Sequence, residues 1–563
     1  MGKFNEKLMR KLNILLETES AEEFIEKVVL KIAEMDQKYN VNNEQFTTKL
    51  MKYVMERKIV LGTPILYNIL SEKNGASACT VIPVEIKRDF EKMRDGIYNY
   101  AMLGIGMGFD LDEIDEPIYT LKVLNEVLKS FDNDARRPTA GMATISAENI
   151  NILEFIKMKE NANYASWRFN LSVKMSDEFI EKIKHSVDVE VIVDGKNQTM
   201  KANELLRKMS DSMHFCGEPG IIFIDSFERD NPTPIFKYEG FAPCAEIGMS
   251  KGEVCHFSYI NLAEFVNEGV VDMKEIIDCC RTGTRMLDNI VDHSIEKKVE
   301  NTTNIIEAKR RVGLGICGTA DMFYKLRMPY GNEESKILLE NILASINYYS
   351  KVESVSMARE RGKFQLFEES RYKDYEWFMR FADEDNQIVL KENWNELWNL
   401  VKEFGIRNSA TVALPPTGKS ASIAMTSYSI EPRFSLLEPD GSINSQFLFE
   451  ISKLNLSEIQ KLSLIQEVLK TGRCGDIETL PEEIKDIFVT ALEVSPSKQI
   501  GIVSSATKYV DESVSKTLNI PNYIGKEEVN SILLDIIGSN IKGITLFRDG
   551  CLEGRETSMD LEV

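Results

Sequence analysis

The sequence predicts an α/β fold, and three observations carry that prediction. Short runs rich in β-branched and aromatic residues (Lys58-Ile-Val-Leu, Thr80-Val-Ile-Pro-Val, Gly220-Ile-Ile-Phe-Ile-Asp and Lys542-Gly-Ile-Thr-Leu-Phe) alternate with helical stretches such as Met273 to Asp288 and Glu334 to Glu360. The 563 residues are 43% hydrophobic and 28% charged with 16 prolines, a balance that builds a large core and excludes collagen, low-complexity disorder and a disulfide miniprotein. No repeat and no linker rich in Pro, Gly or Ser interrupts residues 58 to 550. That stretch therefore reads as one large catalytic unit, although the length would allow about four domains at roughly 150 residues each.

The N-terminal segment 1–57 reads as helical. Ser20-Ala-Glu-Glu23 fits a capping box ahead of Phe24, Val28, Ile32 and Met35 at helical spacing, the pattern of a docking helix. The polar insert Lys363 to Glu392 carries enough aromatic residues to fold over the surface, and 554–563 reads as a tail. No run of 18 apolar residues is present, and the start Met1-Gly-Lys-Phe-Asn-Glu has neither a signal-peptide apolar stretch nor a myristoylation pattern, so a cytoplasmic protein away from membranes is expected.

The formal charge is −21, from 89 acidic and 68 basic residues, and such a field repels a phosphate polymer, so a nucleic acid is a poor partner while small anions can still bind locally. Nine cysteines form no CxxC pair, and with four scattered histidines no zinc-ligand spacing arises, so no metal site is expected. Cys317 and the Cys279-Cys280 pair sit in apolar stretches and read as buried small hydrophobes.

Several segments carry chemistry of their own. Gly313-Leu-Gly-Ile-Cys-Gly318 has the GxGxxG spacing, but the charged, helix-like Glu307 to Arg311 stands where a dinucleotide fold needs a strand. Thr417-Gly-Lys-Ser420 imitates the end of a Walker A loop, yet Ala413 occupies the position of its first glycine. Pro415-Pro-Thr-Gly-Lys-Ser-Ala-Ser422 still opens a helical stretch with three hydroxyls and unbonded backbone N–H groups, either a phosphate cradle or a plain helix cap. In Phe241-Ala-Pro-Cys244-Ala-Glu246 the thiol and carboxylate stand two residues apart, so an extended chain points both to one face, an arrangement open to a nucleophile or radical carrier beside a general base. Cys255-His-Phe-Ser-Tyr-Ile-Asn-Leu262 follows, and Ala76-Ser-Ala-Cys79-Thr-Val lies far upstream.

Taken in order, these segments resemble the large catalytic subunit of ribonucleotide reductases, most closely the adenosylcobalamin-dependent class, from about Lys58 to Glu553. Thr63-Pro-Ile-Leu-Tyr-Asn68 resembles the family's Thr-Pro stretch ahead of a reducing cysteine, here Cys79, and Leu103-Gly-Ile-Gly-Met-Gly-Phe-Asp110 its glycine-rich turn. Phe169-Asn-Leu-Ser-Val173, Gly217 to Asp225, Asn231-Pro-Thr-Pro234, Arg311 to Met322, Arg407-Asn-Ser409, Pro416-Thr-Gly418, Ser429-Ile-Glu-Pro432 and Phe547-Arg-Asp-Gly550 complete the series.

The resemblance implies a ten-stranded α/β barrel over 58–553 whose central finger loop carries the radical cysteine, Cys244. It implies Glu246 as general base on the ribose 3′-hydroxyl, and Cys79 with Cys255 as the pair that supplies two electrons. Thr63, Ser77, Ala78, Pro416, Thr417, Gly418, Lys419 and Ser420 would hold the substrate, a ribonucleoside di- or triphosphate. Adenosylcobalamin would start the radical, because the C-terminal Ile544-Thr-Leu-Phe-Arg-Asp-Gly550 lacks the tyrosine pair of the diiron-linked members and the tail lacks a glycyl-radical segment. A thioredoxin-like protein or small dithiol would be the reductant, and a homodimer is left open.

Three departures bear on that reading. Ala242 stands where the family has Asn, so another polar side chain is required, with Ser77, Ser258 and Asn261 as candidates. Asp132-Asn-Asp-Ala-Arg-Arg-Pro138 replaces a glycine-rich specificity loop, and Cys551 stands alone where the family has a tail cysteine pair; no ATP-cone pattern precedes the barrel. The alternative reading is a divergent thiyl-radical enzyme on the same barrel, acting on another nucleotide or without net reduction. A non-catalytic nucleotide binder would have no need of the three cysteines and Glu246.

Overall fold

A computed structural model describes residues 4–552 apart from 42, 73, 83–88, 133–138, 161–166, 298–302 and 439. Most of the Asp132–Pro138 stretch, Pro83 and the tail 554–563 therefore lie outside the described residues. Helices and strands alternate as expected for an α/β chain.

Twelve strands frame the site. They are β1 (Ile59–Leu61), β2 (Cys79–Val81), β3 (Gly106–Asp110), β4 (Gly141–Ser146), β5 (Phe169–Met175), β6 (Gly220–Phe223), β7 (Gly240–Phe241), β8 (Gly248–Met249), β9 (Phe257–Asn261), β10 (Gly313–Cys317), β11 (Thr517–Ile520) and β12 (Gly543–Arg548). A seven-stranded sheet has the order β11-β12-β6-β5-β4-β3-β2, and a three-stranded sheet the order β1-β9-β10. Neighbours from β2 to β6 run parallel, β12 lies antiparallel to β6, and β9 and β10 are parallel.

Backbone bonds join the two sheets at both edges. On one side Thr80 bridges Val254, the residue that leads toward β9, in an antiparallel pair. On the other, the Val312 and Leu314 N–H groups donate to the carbonyls of Ala410 and Thr411 at 3.1 and 2.8 Å, and Leu414 bridges Val514 just ahead of β11. The sheets thus meet edge to edge around the hairpin β7–β8, the arrangement a barrel with a central finger requires. The glycines of Gly313-Leu-Gly-Ile-Cys-Gly318 serve this packing: a Cβ at Gly313 would stand 2.4 Å from the Phe257 ring, and one at Gly315 would stand 3.0 Å from the Ala413 carbonyl oxygen. The sequence pattern that imitates a dinucleotide loop is a buried strand.

Outside the sheets lie α1 (Ala21–Ala33), α2 (Met273–Glu296) and α3 (Glu333–Arg361). The capping box of α1 forms, Ser20 and Glu23 each bonding the other's backbone N–H, and Phe24, Val28 and Ile32 are buried. This helix docks on α2, whose Asn289 amide donates to Ile32 O at 3.1 Å and to Asp36 at 2.9 Å. Cys279, Cys280 and Cys317 are fully buried, and burial pushes all three thiols up, Cys280 to about 12, so they pack as small hydrophobes. The insert Lys363 to Glu392 departs from expectation: Phe364, Phe367, Tyr372, Trp377, Phe378 and Phe381 are buried, because their rings join the core instead of covering it from outside.

One buried carboxylate ties these layers together. Asp288 of α2 accepts from Arg310 at 2.8 Å, Arg361 at 3.1 Å, Arg407 at 3.3 Å and the Asn408 amide at 3.0 Å. Burial alone would raise its carboxyl, but the guanidinium groups outweigh that and hold it well below the usual carboxylate range. Asp288→Asn leaves this charge cluster without its central anion, so an unfolding free energy lower by about 3–5 kcal/mol is expected, read from the denaturant midpoint.

Candidate active site

β3 provides a glycine floor for the finger. A Cβ at Gly108 would lie 2.2 Å from the Phe241 carbonyl oxygen, and one at Gly106 would lie 2.8 Å from the Pro243 ring and 3.1 Å from the Cys79 sulfur. Only glycine at these two positions lets the backbone of the loop lie on the sheet. The loop then turns sharply: Ala242 N–H donates to Ile247 O at 3.1 Å, Ala245 N–H to Ala242 O at 2.8 Å, and Ala245 takes a left-handed φ of 56°. Such a conformation in a residue with a side chain is strained and persists where the surroundings impose it. Cys244 is exposed at the tip, between buried Pro243 and the half-buried Ala245.

Glu246 is buried, and its Oε2 has no hydrogen-bond partner. Burial raises its carboxyl to about 7, opposed only by the backbone N–H groups of Glu246 and Cys244. With no cation beside it, the group can take or give a proton near neutral pH.

Cys79 and Cys255 face one another across the antiparallel edge. Cys255 N–H donates to Cys79 O at 3.2 Å, Ala78 N–H donates to Cys255 O at 2.9 Å, and the Cys255 sulfur lies 3.8 Å from Cys79 O. Directly opposed residues in such a pair have Cβ atoms about 4.5–5.5 Å apart, a separation a disulfide needs little movement to close. Since a Cβ added at Gly106 would meet both Cys79 and Pro243, the pair also lies beside the finger.

The remaining expected residues form a second wall. Ser420 Oγ accepts from the Thr63 N–H at 3.0 Å, joining the Thr63 turn to α4 (Gly418–Ala424). Thr417 Oγ1 accepts from Ser429 N–H at 2.9 Å, and Tyr259 OH donates to Pro416 O at 3.1 Å. Lys419 is half-buried. Ala78 packs with Cys79, Cys255 and Ala421 in one small cluster.

Two of the proposed substitutes for the missing Asn do not reach the finger. Ser77 is turned to the helix layer, where its hydroxyl meets His256 Nε2 at 3.4 Å beside Ser294 of α2. Ser258 alternates with Phe257 and Tyr259 on β9, and since those two rings join the cluster around the loop, the serine side chain lies on the opposite face. Asn261 has the right parity; its Oδ1 accepts from Thr426 at the strand end, while its Nδ2 is buried without a hydrogen-bond partner. Ala242 itself is buried among Val81, Ile247 and Met249. The sequence reading missed Asn170, whose amide donates to Pro243 O at 3.0 Å and so braces the loop beside Cys244; its alternation out of Phe169-Asn-Leu-Ser-Val173 was the available signal.

A family model for the ribonucleotide reductase barrel domain matches residues 112–547. A vitamin B12-dependent ribonucleoside-diphosphate reductase of Thermoplasma acidophilum is 28% identical over 519 residues, 87% of this chain and 63% of its own length. One of the same name from Mycobacterium tuberculosis is 26% identical over 452 residues, 78% of this chain and 61% of its own. The chain thus spans a little over three fifths of those relatives. A class Id ribonucleotide reductase alpha subunit of Actinobacillus ureae has a similar fold, with a TM-score of 0.75 over 98% of both chains at 18% identity.

The glycine floor is directly testable. Gly108→Ala places a methyl group 2.2 Å from the Phe241 carbonyl oxygen, so the finger must lift. Activity should fall at least 10²-fold while the melting temperature changes by only a few degrees, measured by turnover and by thermal unfolding in parallel.

Proposed function

This chain belongs to the ribonucleotide reductase family, whose barrel-domain model covers most of its length, and we propose that it reduces ribonucleotides to 2′-deoxyribonucleotides through a thiyl radical on Cys244. The observation that carries this reading is the placement of an exposed thiol, a neutral-pH carboxyl and two opposed thiols around one glycine-floored loop.

Adenosylcobalamin fits the arrangement as radical source. The tip residue is exposed while Pro243 and Glu246 on either side of the tip are buried, so a group delivered by a bound cofactor would have access to Cys244 without dismantling the finger. The buried Leu546 and Phe547 of β12 offer no phenol for long-range radical transfer. When bound, the cofactor supplies the radical that takes the hydrogen atom from the Cys244 thiol.

Each later step falls to residues of the chain. The Cys244 sulfur removes the 3′ hydrogen and Glu246 receives the 3′-hydroxyl proton, and the neighbouring 2′-hydroxyl takes a proton from one thiol of the Cys79–Cys255 pair and leaves as water. Cys79 and Cys255 give two electrons and two protons in all as their sulfurs join, Cys244 returns the 3′ hydrogen, and Glu246 returns its proton to the 3′-oxygen. The sum is ribonucleotide and dithiol converted to deoxyribonucleotide, disulfide and water. Thr63 and the Pro416–Ser420 wall, with Ala78 and the Ser77 backbone, would hold the phosphates and sugar of a ribonucleoside diphosphate or triphosphate. A thioredoxin-like protein or small dithiol would then reduce the pair by exchange. Residues 58–553 form the catalytic unit in this reading and 1–57 its helical brace; a cytoplasmic location and a homodimer accord with it. Among the described residues no helix is long and apolar enough to cross a membrane.

The test is anaerobic incubation with adenosylcobalamin, a dithiol and each of the four ribonucleotides as di- and triphosphate, followed by product analysis. Deoxynucleotide formation supports the reading. Turnover only with a separate metal-containing subunit and no cobalamin would overturn the cofactor assignment, and a product other than a deoxynucleotide would favour a divergent radical enzyme.

Two further outcomes follow. Without added dithiol, the enzyme should yield about one product per chain and lose the alkylatable thiols of Cys79 and Cys255 together, as mass spectrometry of the trapped peptides would register; Cys79→Ser should abolish that turnover. Because Glu246 acts ionised and burial raises its carboxyl to about 7, kcat/KM should fall roughly tenfold per unit as pH drops below 7, and Glu246→Gln should remove that limb along with about 10²–10⁴ of the rate.

A further inference from the structure

Ser513 stands between Val514, which leads into β11, and Glu512, and its backbone is bonded to the finger itself: its N–H donates to Glu246 O at 3.0 Å, and its carbonyl accepts from Leu414 N–H at 3.1 Å. The serine is 1% exposed, and its hydroxyl has no hydrogen-bond partner. Its direction follows from strand alternation. Val514 pairs in parallel with Leu414, and both side chains join the main core together with Val412. Ala413 points the other way, into the cluster with Ala242, Cys255 and Phe257 around the finger. Ser513, one residue before Val514, shares the Ala413 side.

Two orphan polar groups therefore border the loop interior, a hydroxyl that can donate and the Glu246 Oε2 that can accept. They are neighbours through one backbone bond, yet they do not bond each other. A buried polar atom left unpaired is unfavourable, and a ligand that completes it gives the position a reason to persist. The ligand must bring one group that donates to a carboxylate and one oxygen that accepts from a serine, on adjacent atoms. Vicinal hydroxyls do this.

We propose that Ser513 is a substrate-contacting residue whose hydroxyl, paired with Glu246 Oε2, receives the two ribose hydroxyls and supplies the polar contact absent at Ala242. Glu246 takes the 3′-hydroxyl and Ser513 donates to the 2′-oxygen, the one that leaves. This rests on the ribonucleotide reading above, and it explains why the position given to an amide elsewhere in the family can be a buried methyl here.

The test uses the full chain without cofactor: calorimetric titration with each ribonucleoside diphosphate and triphosphate and with its 2′-deoxy counterpart. The wild-type chain should prefer the ribo form by about fivefold or more, the scale of one neutral hydrogen bond. In Ser513→Ala that ratio should fall close to one through loss of ribo affinity, with the deoxy affinity unchanged, and Ser513→Thr should restore part of it. Removal of an unpaired buried hydroxyl should leave the melting temperature equal or higher, which separates this role from a structural one. An unchanged ratio in Ser513→Ala, or equal loss for both nucleotides, overturns the assignment of Ser513 alone. Absence of any nucleotide binding by the wild-type chain overturns the ribonucleotide reading and this inference with it.

Discussion

The placement of the finger depends on one buried guanidinium. Arg311, just ahead of β10, pairs with Glu253 at 3.1 Å and Glu512 at 3.4 Å, and it donates to Gly248 O and to Tyr238 OH, the latter at 3.2 Å. Lys309 adds a 2.8 Å pair to Glu253 and a 2.8 Å bond to Ser250. Both legs of the hairpin, Tyr238 before it and Gly248 to Glu253 after it, are thereby fastened to the edge of β10 and to the segment entering β11. The loop has few internal hydrogen bonds, so its position comes from this clamp and from the glycine floor beneath it. A buried charge cluster suits that task because any displacement would leave a charge unpaired in a dry interior.

The same interior sets two neighbouring carboxylates apart. Burial pushes the Glu253 carboxyl up, but Arg311 and Lys309 outweigh it and hold the group low, so it stays an anion and serves as an anchor. Glu246, seven residues earlier, has no cation acting on it, and burial outweighs the two backbone N–H groups that oppose it. One environment makes a fixed charge and the other a proton carrier near neutral pH. Strand geometry completes the constellation: antiparallel pairing at the β2 edge sets Cys79 opposite Cys255, and parallel neighbours bring Gly106 and Gly108 of β3 under the loop.

Much of this was legible in the amino-acid order. The alternation of β-rich and helical runs gave the α/β class, Ser20 and Glu23 announced the start of α1, and the apolar settings of Cys279, Cys280 and Cys317 marked them as packing thiols. The ordered series of matching segments named the family and marked Cys244, Glu246, Cys79 and Cys255 as candidates for its site, because that chemistry is concentrated in short motifs. Local pattern was weaker where a residue's partner lies far along the chain. The aromatic insert after Lys363 looked like a surface cover, since nothing in its own composition reveals that its rings meet the core.

What the sequence determined, then, is class, family and the candidate side chains of the site, since those depend on residue type and short spacing. Tertiary structure alone decided direction. Ser77 and Ser258 were as eligible as any hydroxyl near a motif, but Ser77 meets His256 beside the helix layer and strand parity turns Ser258 away from the rings around the loop, while Ser513, more than two hundred and fifty residues from the finger in sequence, was brought to Glu246 by a single backbone bond. A one-residue step along a strand reverses the face a side chain occupies, and which face looks inward is fixed only when the sheets close around the loop.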